Sequence, residues 1–254
     1  RAAMAKKLLP LNEIDAMLNT EHETDVSQLR YNLIRRSINT IFVYWKRIMP
    51  PSITTSAMAT VDARLRVSME KLAETYASPP TLVDAWWEEA QLNTCKGGLG
   101  VGGHEETCEA CYVASIFACW PRLRAACAPL SHLDVEGDTI PMLTAFNSAY
   151  AELRATRADI EAQYLEFKKH KYLTIRGGGI EGHFRPNDLP LAKTLPTIKD
   201  AFDTESKSSP PAQRALVRVV QHRRWLACIE AAHGHDKEYP HVYCKFREAT
   251  RFIA

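Results

Sequence analysis

The sequence contains no Asp-Asp pair in its 254 residues. Paired carboxylates are one means of holding two divalent metal ions for catalysis, and adjacent aspartates for that purpose are missing. It also lacks a Ser/His/Asp nucleophile constellation and any recognisable metalloenzyme motif. No apolar run approaches the roughly 18 residues of a membrane span, and no signal peptide is visible. Strand patterns are nearly absent; only Tyr172–Arg176 has the alternation of a short strand. There is no internal repeat. The seven cysteines are odd in number and irregular in spacing, which argues against a disulfide framework and for a reducing, intracellular compartment, nuclear or cytoplasmic. The net charge of +2 gives no global electrostatic argument for nucleic acid.

What is there is helix. Length suits one large domain or two small ones, and 46% hydrophobic with 24% charged residues is ordinary for a globular chain. The first 24 residues hold one helical piece with Ile14, Met17 and Leu18 on one side. Thr24 and Asp25 offer an N-cap for a helix over 26–49. There Val26, Leu29, Leu33, Ile34, Ile38, Ile41, Phe42, Trp45 and Ile48 recur at three and four, up to Pro50-Pro51. A further helix runs from Thr54 to Tyr76 through Met58, Val61, Leu65 and Leu72. After a connector marked by Pro121, Pro129 and Gly137, a long helix covers 140–170 with Leu143, Phe146, Tyr150, Leu153, Ile160, Tyr164 and Phe167 as its stripe. A break is expected near Ala155–Arg157.

The most informative stretch is Trp86–Trp120. A short helix over Trp86–Leu92 leads into five glycines within seven residues, Gly97–Gly103. Each Gly costs about 1 kcal/mol relative to Ala in a helix, so the run predicts a tight, exposed turn with positive φ. Glu105 and Glu106 then suit the first turn of a helix that stops at Pro121. A phosphate-cradling loop would need a preceding strand and a following Lys-Ser/Thr or Gly-x-x-Gly, and neither is present. Cys95, His104, Cys108 and Cys111 are zinc-ligand types, but without paired C-x-x-C knuckles. Cys108, Cys111, Ser115 and Cys119 also recur at helical spacing, and small residues on a packed face explain them more simply.

The order Trp87-Ala90-Leu92, then Gly97-Gly98-Leu99-Gly100-Val101, then a small-residue helix with Ala110, Ala114 and Ser115 resembles a region of non-LTR retrotransposon reverse transcriptases. That region lies downstream of their polymerase palm. Cys108 and Cys111 stand where such proteins usually carry Ala. The segment 26–51 holds Arg30, Arg35, Arg36, Lys46 and Arg47 and no acidic residue. One reading is a solvated basic face; the other is contact with nucleic-acid phosphate. Leu29-Arg30, Arg35 or Arg36, the Tyr44-Trp45-Lys46-Arg47 cluster and Pro50-Pro51 resemble the thumb helix of the same family. The resemblance implies a helix that grips a template–primer duplex by its backbone without reading bases.

Residues 174–212 change character, with Gly177-Gly178-Gly179 and repeated prolines, and read as a linker or functional loop. Asp188 with Glu205-Ser206-Lys207 has the residue types of a metal-dependent nuclease, but on a loop rather than a β-hairpin. Pro211 can open a last helix with Leu216, Val219, Val220, Leu226 and Ile229 inward. Arg214, Arg218, Arg223 and Arg224 form its basic stretch. Ala212-Gln213-Arg214-Ala215-Leu216, Trp225-Leu226 and, more thinly, Arg251-Phe252 again look like the retroelement segment. Cys228, His233, His235, His241 and Cys244 could ligate zinc, though they lack a C-x-x-C knuckle; helix-end and turn histidines are the simpler reading.

The expected fold is mainly α: a multi-helix bundle with a Gly-rich turn and a long Gly/Pro-rich loop, followed by a C-terminal helical segment. Residues 1–135 form a thumb-like bundle, 136–173 long connecting helices, 174–210 a linker and 211–254 a C-terminal helical segment. The resemblance covers residues 8–130 and, more thinly, 210–254. It implies a non-catalytic part of a reverse transcriptase that binds RNA–DNA or DNA duplex. Its own chain then needs no cofactor, and a separate palm and fingers would supply the magnesium site. The start at Arg1 fits a fragment or processed product. The competing expectation is a free-standing helical structural or protein-interaction module derived from such an element. A small zinc-dependent enzyme is a third.

Overall fold

The computed structural model describes residues 2–16, 23–74, 84–94, 98–127, 140–169 and 213–234. Every regular element among them is helical, so the fold is mainly α. Helix α1 spans Ala2–Ala16 and buries Leu11 and Ile14. Helix α2 (Glu23–Leu33) passes through one π turn (Ile34–Ile38) into α3 (Asn39–Ile48) without interruption. Thr24 and Asp25 therefore lie inside the helix and not at its cap. Pro51 opens α4 (Pro51–Glu74), where a missing N–H costs nothing. Helix α4 buries Met58, Val61, Leu65, Met69 and Leu72 at spacings of three and four. The short α5 (Asp84–Ala90) leads into the glycine turn.

Two expected interruptions are not there. Helix α6 (Cys108–Ala126) continues through Pro121 for more than a turn. Proline removes one N–H and crowds the preceding turn, but Arg122, Leu123, Ala125 and Ala126 beyond it are exposed, where solvent can serve the backbone. Helix α7 (Pro141–Lys169) runs unbroken over 29 residues. No aliphatic residue marks its inner face near residues 155–157, but Thr156 and Arg157 are buried there and carry the face onward. The last helix, α8, spans Gln213–Gly234. The expected strand at Tyr172–Arg176, the linker 174–212, the Asp188/Glu205/Lys207 group and the connector around Pro129 and Gly137 lie outside the described residues.

The chain forms two compact units that are discontinuous in sequence. One comprises Arg1–Trp45, Ile53–Glu106 and Arg224–Ala254; the other comprises Lys46–Ser52 and Thr107–Arg223. In the first, α1 packs on α2 and the π turn, and Tyr31, Ile34, Ile38 and Phe42 line the inner face. In the second, α6 packs along α7. Its core joins Val113, Phe117 and Trp120 to Leu143, Phe146, Tyr150 and Leu153, with Leu216 and Val220 of α8. The Phe117 ring stands edge-on to Phe146 at 5.2 Å and to Tyr150 at 5.4 Å. Such pairs add about 0.5–1.5 kcal/mol each beyond their burial.

Candidate nucleic-acid interface

Nine basic residues were singled out by sequence, and the structure sorts them into two populations. Arg30, Lys46 and Arg224 are interior, at 0%, 4% and 6% exposure. Arg36, Arg47, Arg218 and Arg223 are exposed, and Arg35 is half-buried. The Arg214 side chain lies outside the described residues.

Register explains two of the buried ones. Arg30, Ile34, Ile38, Phe42 and Lys46 are spaced by four, and all are buried. In a regular α-helix such a series drifts round the axis, because a turn takes 3.6 residues. The π turn at Ile34–Ile38 takes an extra residue per turn and holds the series on one face. Arg30 and Lys46 are thus the two ends of the apolar stripe. Arg30 Nη2 donates to Asp15 Oδ1 at 2.6 Å and to the Ser68 carbonyl at 3.1 Å. Lys46 Nζ donates to Thr107 Oγ1 at 2.8 Å. Neither can also reach a phosphate.

Asp15 is the hub of the first unit's charge network. Arg64 Nη2 donates to its second oxygen at 2.8 Å, Ser68 donates at 3.3 Å and Lys71 lies 3.6 Å away. Burial by itself would raise the carboxyl, but the hydrogen bonds from Arg64, Arg30 and Ser68 outweigh it and hold Asp15 below the ordinary 3.8. Arg224 is fixed in the same way. Its Nη2 lies 2.8 Å from Glu106 and its Nε 3.2 Å from Glu88, so it bridges the residues before and after the glycine turn.

The glycine turn itself is interior rather than exposed: Gly98, Leu99, Val101 and Gly103 are buried. Its amides point inward. Gly98 donates to Asn93 O, Leu99 and Val101 to Ala90 O, and Gly100 to Leu92 O. Gly102 donates to Asn39 Oδ1 at 3.0 Å, while Asn39 Nδ2 donates to Gly100 O at 3.2 Å. The Tyr31 hydroxyl donates to Leu99 O at 2.8 Å; burial raises its pKa, against the pull of Arg35 and Arg36. The amides of His104 and Glu105 donate to the two oxygens of Asp62, at 3.1 and 2.9 Å. A phosphate cradle needs outward-pointing amides, and these are committed to the fold. At Gly98 an added Cβ would lie 2.2 Å from the Leu92 carbonyl oxygen; at Gly102 φ is +83° and the Trp87 ring is 2.9 Å away. The glycines are there so that α2, α3 and α5 can close on one backbone segment.

Asp15, Asp62 and Asn39 were not singled out by sequence. Asp62 had a signal: it lies next to Val61 on the inner stripe of α4, where a lone acid must find donors. Asp15 had none, since its partners are 15 and 49 residues away.

Arg35 Nη2 donates to Thr94 Oγ1 at 3.4 Å, and its guanidinium lies 5.9 Å from the centre of the Tyr31 ring. Arg36, Arg47, Arg218 and Arg223 make no ion pair among the described residues. Of the residues singled out by sequence, these four and the half-buried Arg35 are open to an external anion. Arg35 and Arg36 lie in the first unit, and Arg47, Arg218 and Arg223 in the second.

Of the cysteines, Cys108 and Cys111 are buried and Cys119 and Cys127 exposed. Burial raises the Cys111 thiol, with Lys46 pulling the other way; Gln213 Nε2 donates to its sulfur at 3.3 Å. Burial, then Glu89 and Glu88, push Cys228 up to about 12, so it is no nucleophile at neutral pH. His104 is buried, its ring edge-on to Phe42 at 5.6 Å. Among the described residues no three His, Cys, Asp or Glu side chains are grouped to hold a metal ion. Cys95, His235, His241 and Cys244 lie outside the described residues. No described helix is long and apolar enough to cross a membrane. Against known proteins, the chain matches no family model, no curated sequence and no solved structure.

Proposed function

We propose that this chain is the non-catalytic, template–primer-gripping part of a retroelement-type reverse transcriptase, holding RNA–DNA or DNA duplex by its phosphates. One observation carries the reading. The basic residues of the two acid-free segments divide into partnered interior ones and exposed arginines that have no ion pair among the described residues. A guanidinium left unpaired at the surface is suited to phosphate, which it can meet with two parallel hydrogen bonds. Contacts of this kind grip without reading sequence. The resemblance of the 26–51 and Trp86–Ser115 segments to the thumb and the region after it supports the same reading. Polymerisation would fall to a palm and fingers carrying the paired carboxylates that this chain lacks.

The test is the affinity for an RNA–DNA duplex measured at several salt concentrations. Each neutralised phosphate contributes about −0.9 to the slope of log K against log salt. Four to five arginine contacts therefore give a slope between about −3.5 and −4.5, with little preference among sequences. Binding that ignores salt sinks the proposal.

The second reading, a helical protein-interaction module, is favoured by the exposed aliphatic side chains Leu9, Leu29, Ile48 and Ile53. It predicts association that strengthens or holds as salt rises.

A further inference from the structure

Tyr44 is 65% exposed, more than any other large hydrophobic side chain among the described residues. It lies two turns beyond Arg36, with Thr40 between them, and all three are exposed on the outer face of the helical run in the first unit. Ser37 is exposed on the same face. From Val26 to Pro51 there is no acidic residue, so the helix itself sets no carboxylate beside Arg36 and Tyr44. Among the described residues the Tyr44 ring stacks on no other ring.

An arginine on phosphate does not distinguish paired from unpaired strands. An aromatic ring does. Bases in a duplex already stack on their neighbours on both sides, so an external ring finds a free π-face only on an unpaired base. Arg36 and Tyr44 are about 12 Å apart along the helix axis, far enough for one to hold backbone while the other meets a base further along the strand. Resting on the duplex-gripping reading above, we propose that Tyr44 stacks on an unpaired base beside the gripped duplex, with Arg36 on its phosphate backbone. The preferred ligand is then a duplex with a single-stranded overhang rather than a blunt one.

The test compares binding of a blunt RNA–DNA duplex and the same duplex with a single-stranded extension, using the whole chain and its Tyr44→Ala, Tyr44→Trp and Arg36→Ala variants. The wild type should favour the overhang by about tenfold, as one base–aromatic stack allows. Tyr44→Ala should remove that preference by weakening the overhang ligand more than the blunt duplex; Tyr44→Trp should keep it. Arg36→Ala should weaken both ligands and lower the salt slope. Equal affinity of the wild type for the two duplexes, or a preference untouched by Tyr44→Ala, overturns this proposal and leaves duplex gripping standing. Absence of salt-dependent binding to either ligand overturns both.

Discussion

Both units bury apolar helix faces, and the first adds a network of directional contacts to them. In the first, two buried arginines meet carboxylates: Arg30 pairs with Asp15, which also takes Arg64, and Arg224 pairs with the partly exposed Glu88 and Glu106. The Asp62 carboxylate takes two backbone amides, and the glycine segment is fastened by hydrogen bonds from α2 and α3. In the second, a Phe117–Phe146–Tyr150 cluster and the aliphatic residues around it fill the space between α6 and α7. Directional contacts define one geometry and fail sharply when one partner is removed. Apolar packing is graded and tolerates changes that keep volume. The first unit should therefore be the one that responds to pH and to single-atom changes.

The largest effect is expected at the hub. Asp15→Ala leaves the buried Arg30 guanidinium without its carboxylate and should cost about 3–5 kcal/mol in denaturant unfolding. The same network fixes the pH response. Because Asp15 titrates below its ordinary value, its stabilisation is complete above pH 3.8 and is lost as pH falls through the folded value. Unfolding midpoints of the wild type should drop on that acid side, and the Asp15→Ala protein should show a smaller drop.

Gly98→Ala comes next. Its Cβ would meet the Leu92 carbonyl oxygen, and the backbone can yield only by shifting the turn, at a cost of about 2–3 kcal/mol. Thermal unfolding would register it; a neutral result would mean the turn is looser than its hydrogen bonds indicate. Asp62→Asn keeps the shape but supplies one acceptor where two amides converge, and should cost about 1–2 kcal/mol, comparable to a lost helix cap.

The control lies in the second unit. Phe146→Leu gives up two ring pairs and part of the buried volume and should cost about 1–3 kcal/mol, with no change in the acid limb. A cost larger than that of Asp15→Ala would reverse the comparison.

The helices themselves were legible because their apolar spacing is local. The stripes on α4 and α7 needed nothing from outside the helix, and the basic content of 26–51 was plain from composition. The fate of each basic residue was half legible. The spacing-by-four from Arg30 to Lys46 places both on the inner stripe, but regular helical geometry would have turned that series off one face. The π turn that keeps it there has no sequence signature. Asp15 is a tertiary partner and could not be read from neighbours. The glycine run gave the right conformation and the wrong environment: positive φ at Gly100, Gly102 and Gly103 is a local property, whereas enclosure by Trp87, Tyr31 and Asn39 is not. Pro121 and the 155–157 stretch misled for a related reason. Local breaker signals lose to a helix whose inner face stays buried or whose end is open to water.

Under the proposed function, the exposed arginines and not the buried ones meet nucleic acid. The most direct test is the salt slope of duplex binding for the wild type and for a folded variant with Arg36, Arg47, Arg218 and Arg223 all changed to Ala. With about 0.9 of slope per lost phosphate contact, the slope should shrink by about 3–4, while the unfolding free energy stays within about 0.5 kcal/mol per site. A variant that folds and keeps the wild-type slope and affinity would contradict the account.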